Sequence, residues 1–501
     1  MRQLVIAAVM LAACASPSTG SDPRSSDNSN GTTTTSGDPA ASSATTPAAQ
    51  PDLPPVTPPR PEFSRVLYVS PAGSDTAAGS EAAPFRTIHR ALELVAPGEA
   101  VFVAAGTYPE TLALDARAGL DGKPITLRGQ GKPKLVPSGE GGGMVQFSRP
   151  GWVVEGFEID AQGLGKIAVT FTSDVHGSVL RGNDIHGGTL GAGVTTYDGA
   201  TGATIENNQI HDFWRDGEDA HGVLVQWTSR DITIRGNDIH HNSGDSVQCI
   251  GPETYADAAP ASGVLIEKND LHDGVENAVD IKTCSGVMVR GNRMHGFRMA
   301  PSGQGAKGDA VVIHMSASDV TVEDNEIYDS GRGLSLGGNR IGPMPAGVVI
   351  RHNRIHDIVI DGGTDGVGMC VENSEGARIE QNTFTRIASY ALRVGGGTNG
   401  PTDNLRVRNN ILDAASPVRV GSYAPGLVVN SNLYQPGALF TVQGVVESYQ
   451  TWLTSGQDSR SVTGSPGFAS ADSLAPGPVA VDRGEDLGLT FCGAAPDLGA
   501  V

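Results

Sequence analysis

Three stretches of this sequence align without gaps, and each carries groups able to do chemistry: Asp245-Ser246-Val247-Gln248-Cys249-Ile250, Asn277-Ala278-Val279-Asp280-Ile281-Lys282 and Asp309-Ala310-Val311-Val312-Ile313-His314. In a strand, successive side chains point to opposite faces. With Val247, Val279 and Val311 inward, the outward columns are Gln248, Asp280 and Val312, then Ile250, Lys282 and His314. The preceding stretch His221 to Trp227 adds Gln226 to the lysine column and an indole beside it. An indole face next to a row of polar side chains suits an extended glycan. Asp245, Asn277 and Asp309 open equivalent strands, Asp280 lies beside them, and Asp365 opens a later strand. Carboxylates stacked at the inter-strand spacing of about 4.8 Å repel one another unless something positive lies between. Calcium is the expected ion, because it accepts carboxylate and amide oxygens in loose geometry. The other reading of Asp and Asn at such positions is the capping of turns.

A recurring phrase shows what positions these groups. Asn183, Asn208, Asn237, Asn269, Asn292, Asn325, Asn353, Asn382, Asn410 and Asn432 each open a short apolar segment, most often completed by His, with successive positions 22 to 33 residues apart. A period in that range means a solenoid. Short alternating segments such as Asp231-Ile232-Thr233-Ile234-Arg235 make the units strands, so the expected class is all-β, a parallel β-helix of single coils. The Asn column is expected to bond the same turn one coil away. The His column beside it reads as architecture too, since nothing in the sequence supplies the mixed ligands of a tight metal site. A formal charge of −20 argues against nucleic acid as a partner.

The ends set the compartment. Met1-Arg2 precedes an apolar run to Ala13, too short to span a bilayer, and Leu11-Ala12-Ala13-Cys14 resembles a lipobox. Residues 1–13 therefore read as a lipoprotein signal peptide and Cys14 as the lipidated residue. Residues 14–62, rich in Ser, Thr and Pro, form a disordered tether. Residues 63–150 are expected to hold an N-terminal cap and first coils, 151–440 the repeats, and 441–501 a C-terminal coil and cap. This places a monomer at the cell envelope, at the outer membrane or cell surface, with the lipid as its membrane contact. Cys249, Cys284, Cys370 and Cys492 could pair in such a compartment, with connectivity open.

The ends of the body carry a resemblance. Tyr68-Val69-Ser70-Pro71-Ala72-Gly73-Ser74-Asp75, Pro84-Phe85-Arg86-Thr87-Ile88, Gly106-Thr107-Tyr108-Pro109-Glu110 and the closing Ala495-Pro496-Asp497-Leu498-Gly499-Ala500 resemble secreted right-handed parallel β-helix proteins of the pectate-lyase-like superfamily, especially family nine polysaccharide lyases. The resemblance implies a capping helix over Thr87 to Ala96. It also implies β-elimination on an acidic polysaccharide, in which a lysine beside calcium removes the proton α to a uronate carboxylate. The neighbourhood of Lys282 is similar to that of such lysines, so Lys282 is the expected base. His314 is then the expected donor to the leaving oxygen, and Arg332 the group that holds a carboxylate bidentately. Trp227, Gln226 and Gln248 are the expected substrate contacts, and Asp245, Asn277, Asp280 and Asp309 the expected calcium ligands. Asp280 alone would keep Lys282 protonated, so lysine and cation belong together in this reading. Two alternatives stay open: a non-catalytic glycan-binding or adhesive surface protein, and a glycoside hydrolase with Asp280 and Asp309 as paired carboxylates.

Overall fold

A computed structural model describes residues 63–500 apart from 140–141, 252–258, 299–307, 338–342, 362, 396–399, 422–423, 469 and 471–473. Cys14 and the segment 1–62 lie outside the described residues. From Phe63 onward the chain is one compact unit, built from three parallel sheets of fourteen strands each. Each coil passes through the first sheet, turns at the recurring Asn, runs through the second sheet, then crosses a loop of variable length to the third. Among the described residues no helix is long and apolar enough to cross a membrane.

Most strands are three to five residues long because each supplies one inward apolar side chain or two. Leu180, Ile205, Ile234, Ile266, Val289, Val322, Ile350, Ile379 and Val407 stack at the centre of the first sheet, all fully buried. Burying one such side chain contributes roughly 1.5–3 kcal/mol. Three polar ladders run along this core. Each Asn donates its Nδ2 to the Oδ1 of the Asn one coil on, at 2.9–3.1 Å from Asn183 to Asn432, and accepts from the previous coil, so the turn leaves no orphaned amide. On the first sheet Glu155, Arg181, Glu206, Arg235, Glu267, Arg290, Glu323, Arg351, Glu380 and Arg408 alternate strictly, one per coil. On the second sheet His186, His211, His240, His272, His295, Tyr328 and His356 stack face to face with centroids 4.7–5.2 Å apart.

Both ends of the solenoid are covered. The N-terminal helix spans Ile88–Leu92, shorter than the expected Thr87 to Ala96; the Thr87 hydroxyl caps it by accepting from Arg90 N–H, and Glu110 accepts from the N–H groups of Ile88 and His89. It ends at the C-cap Glu93, whose N–H bonds back to His89 O, four residues before Pro97 and Gly98 turn the chain into the next strand. At the other end an antiparallel hairpin, Leu439–Val442 with Val445–Ser448, breaks the parallel pattern, and the helix Tyr449–Leu453 follows. Buried Asp458 ties this cap together by accepting from Tyr434 Oη (2.7 Å) and Trp452 Nε1 (2.5 Å). The closing segment returns along the side of the coils, where Gly499 N–H reaches Asn409 O and Ala500 N–H reaches Thr383 Oγ1. Cys249 and Cys284 form a disulfide inside the coils, and Cys370 is a buried free thiol.

Candidate functional site

The third sheet forms the floor of the site. Strands His221–Val225, Val247–Cys249, Val279–Ile281 and Asp309–Ile313 are neighbours, with Val247 opposite Val279 and Val279 opposite Val311. This is the register expected from the gapless alignment. The ladder continues past the strand ends, since Ile250 N–H donates to Val225 O, Lys282 N–H to Cys249 O and His314 N–H to Ile281 O. Gln226, Ile250, Lys282 and His314 accordingly share a column. The Asp280 column runs on through Val312, Ser335, Cys370, Arg393 and Arg419, passing from acidic to basic along the face.

Asp245 is fully buried and heavily held. Its Oδ1 accepts from Asn277 Nδ2 (2.7 Å) and N–H (3.2 Å), its Oδ2 from Gln248 Nε2 (2.7 Å), and its N–H donates to His221 Nδ1 (3.0 Å). Gln248, itself buried, therefore orients Asp245 rather than facing outward to a glycan. Asp280 lies 3.4 Å from Lys282 Nζ and 3.0 Å from His314 Nε2. The second contact joins Asp280 Oδ1 and His314 Nε2 as an ion pair off the ideal hydrogen-bond angle, while Asn277 Oδ1 is left without a hydrogen-bond partner. Buried oxygens in that condition are costly unless something occupies them.

Two carboxylates that the sequence reading missed complete the cluster. Glu276 has its carboxyl pushed up to about 9, first by burial and then by Asp245, Asp219 and Asp280, against the pull of Lys282. His221, Asp245 and Glu276 each place a ligand atom within 4.8 Å of the others. The only sequence signal was position: Glu276 directly precedes Asn277, and Asp219 lies two residues before His221, both in the loops that feed the floor strands. Burial by itself would lower the Lys282 amino group, but Asp280, Asp245 and Glu276 outweigh it and hold the lysine above its ordinary value. For Asp280, burial is likewise outweighed, by His314 and Lys282, and its carboxyl is held low.

Other expected site residues are engaged elsewhere. Asp309 accepts from Ser335 Oγ (2.5 Å) and Arg332 Nη1 (3.2 Å), so its charge is met by a guanidinium rather than left for a cation. The bidentate grip expected of Arg332 is made, but on the protein's own Asp365: Nε to Oδ1 at 3.1 Å and Nη2 to Oδ2 at 2.5 Å. Asp365 also accepts from Arg393 (2.8 Å). It precedes Val367, the residue opposite Arg332, by two positions and so falls outside the Asp245, Asn277 and Asp309 column. Gln226 donates to Thr195 Oγ1 (3.1 Å). Trp227 is 41% exposed, and Tyr197 and Trp214 present further open rings on the coils just before the acidic cluster.

A cation fits the donor set. Asp245, Asp219 and Asp280 all raise the proton affinity of Glu276, and the buried Oδ1 of Asn277 has no hydrogen-bond partner. His221 is a less natural neighbour for calcium, and its Nδ1 is already occupied by the Asp245 N–H.

Comparisons agree with this architecture. A family model described as "Protein of unknown function (DUF1565)" matches residues 71–332, and one described as "Right handed beta helix region" matches residues 254–412. An uncharacterized protein of Bacillus subtilis (strain 168), YwoF, is 25% identical over 401 residues, 74% of this chain and 80% of that protein. Among solved structures, the PL6 family alginate lyase AlyGC is similar with a TM-score of 0.55 and 16% identity, over 79% of this chain and 57% of that one. Pectate lyase Pel9A is similar with a TM-score of 0.43 and 18% identity, over 88% and 96%. The chain has the right-handed parallel β-helix fold found in polysaccharide lyases.

Proposed function

The chain belongs to the DUF1565 family, and on that premise we propose that it is a polysaccharide lyase acting on an acidic glycan along the face of the third sheet. The observation that carries this reading is the placement of Lys282 and His314 beside Asp280, next to the buried carboxylates of Asp245 and Glu276. The exposed rings of Tyr197, Trp214 and Trp227 offer stacking surfaces for sugars on one side, and Arg393 and Arg419 offer positive charge on the other. The named alginate lyase shares the scaffold; the chain's own residues supply the rest of the case.

In this reading Asp245, Glu276 and Asp280 would hold calcium, with Asn277 and Gln248 orienting Asp245. When bound, the ion would supply positive charge that offsets these carboxylates and a uronate's own carboxylate. Lys282 is the base for the proton α to that carboxylate, and it can serve only with the field of its acidic neighbours offset. His314 stands one coil on in the same column, placed to protonate the departing glycosidic oxygen as the C4–O bond breaks. Arg332 keeps Asp309 and Asp365 paired and so shapes the floor without touching substrate. The same reading tethers a monomeric body to the cell envelope through a lipid on Cys14.

The test is the ultraviolet absorbance of unsaturated product when the protein is incubated with a panel of uronans and calcium. Lys282→Ala should lower the rate about 10²–10⁴-fold, and a chelator should abolish it. Trp227→Ala should weaken glycan binding with the chemistry retained. A flat trace on every uronan, with glycan binding intact, would replace the lyase by a glycan-binding surface protein.

A further inference from the structure

The imidazole ladder of the second sheet follows a rule that fails at one coil. Nε2 of each imidazole faces a carboxylate one coil earlier: His186 to Glu158 (3.3 Å), His211 to Asp184 (2.9 Å), His272 to Asp238 (3.0 Å) and His295 to Asp270 (3.1 Å). Nδ1 of His211, His272 and His356 faces the Asp that follows it, Asp212, Asp273 and Asp357, at 2.7–2.8 Å. Both partners are replaced at His240. Its Nε2 meets the amide nitrogen of Gln209 at 3.2 Å, and its Nδ1 meets Nδ1 of His241 at 2.7 Å. The turn position after the ring is left-handed, and other coils fill it with Gly187, Asp212, Asp273 or Gly296; here it is His241, at φ 52°. Its ring stands at 89° to that of His240. His240 is thus a ladder imidazole with no carboxylate on either nitrogen, and it faces a second imidazole.

We propose that Asp238, His240 and His272, with His241 against the same ring, form a binding site for an imidazole-preferring divalent ion of the Zn²⁺ type. One ligand atom from each of Asp238, His240 and His272 lies within 4.8 Å of the others. An ion with bonds of about 2 Å to nitrogen and carboxylate oxygen bridges such a set after small ring rotations. Imidazole nitrogen beside a single carboxylate favours zinc, nickel or copper over calcium. The comparable group of Glu158, Asp160 and His186 does not offer the same opening, because Lys134 Nζ already lies 2.6 Å from Glu158 and 3.1 Å from Asp160. This site is on a different sheet from the acidic cluster and is independent of the lyase reading.

The experiment is calorimetric titration of the full chain with Zn²⁺ in the presence of excess calcium. One saturable site is expected, weakened at least about tenfold in His240→Phe and in His272→Phe, and unaffected in His356→Phe. Tyr328 already shows that the stack accepts a ring without imidazole nitrogens, so the Phe variants should keep the fold, checked by an unchanged metal-free Tm. Should either fail to fold, His241→Ala on the exposed turn carries the same test and should also weaken binding. Absence of a saturable site, parental affinity in the variants, or loss in Glu276→Gln instead would overturn the proposal.

Discussion

Along the first sheet each arginine from Arg181 to Arg408 meets the glutamate one coil before it at 2.5–3.0 Å, whereas on the third sheet Glu276 is buried beside Asp245, Asp219 and Asp280, which together raise its proton affinity. The first arrangement is what stacking alone requires: identical geometry at each coil would align like charges, and strict alternation turns that repulsion into attraction. The second arrangement costs stability unless something else satisfies it. Regular compensation marks scaffold, and the coils where compensation stops mark the place to look for chemistry.

The largest effect expected from breaking the scaffold side is at the Asn ladder. Asn325 accepts from the N–H and Nδ2 of Asn292 and donates to Val289 O and Asn353 Oδ1. Asn325→Ala leaves buried amides unpaired in two coils and should cost about 2–4 kcal/mol in denaturant unfolding; a loss below about 1 kcal/mol would mean the turns are held by their backbones alone.

Next in size is Glu276→Gln on the site side, which sharpens the contrast because removing a charge should stabilise. The folded-state carboxyl titrates near 9 against an ordinary 4.5, so the folded chain holds the extra proton between those values. The cost is absent below about pH 4.5 and grows as pH rises toward 9. In metal-free buffer Glu276→Gln should therefore gain on the parent through this window, by about 1–3 kcal/mol near pH 8. Calcium should raise the parent's Tm and leave the variant's nearly unmoved. Parallel Tm curves across this pH range would show that Glu276 is not under strain.

The smallest effect is expected in the alternating ladder. Arg351 sits between Glu323 and Glu380, and Arg351→Glu would set three acids in a row. It should cost about 1–2 kcal/mol, more than Arg351→Ala, with the gap between the two variants closing in high salt. Equal Tm values for the two would make the alternation decorative.

That alternation was open to reading, since the residue two before each recurring Asn goes Arg181, Glu206, Arg235, Glu267, Arg290, Glu323. The Asn and His columns repeat one residue type at nearly every coil, whereas the charges beside them change sign from coil to coil and so repeat no single residue. Period and alternation also placed Val247, Val279 and Val311 inward and Lys282 with His314 in one column, because a stacked coil propagates register from one strand to the next. The acidic site was legible only in part. Asp280 sits on a strand, and Asp245, two residues before one, still falls inside the gapless alignment, whereas Asp219 and Glu276 lie in the loops outside the aligned segments, which the repeat does not constrain.

The amino-acid order alone determined the solenoid, its register and which side chains fill the core, since those follow from a two-residue alternation inside a fixed repeat. Only the tertiary structure decided which outward charges neutralise each other. Arg332 could have faced a ligand but closes on Asp365 and Asp309, and Asn277 and Gln248 could have faced solvent but close on Asp245. Pairing depends on distances of a few ångströms between side chains tens of residues apart, and these are set by how far each loop carries the chain before the next strand begins.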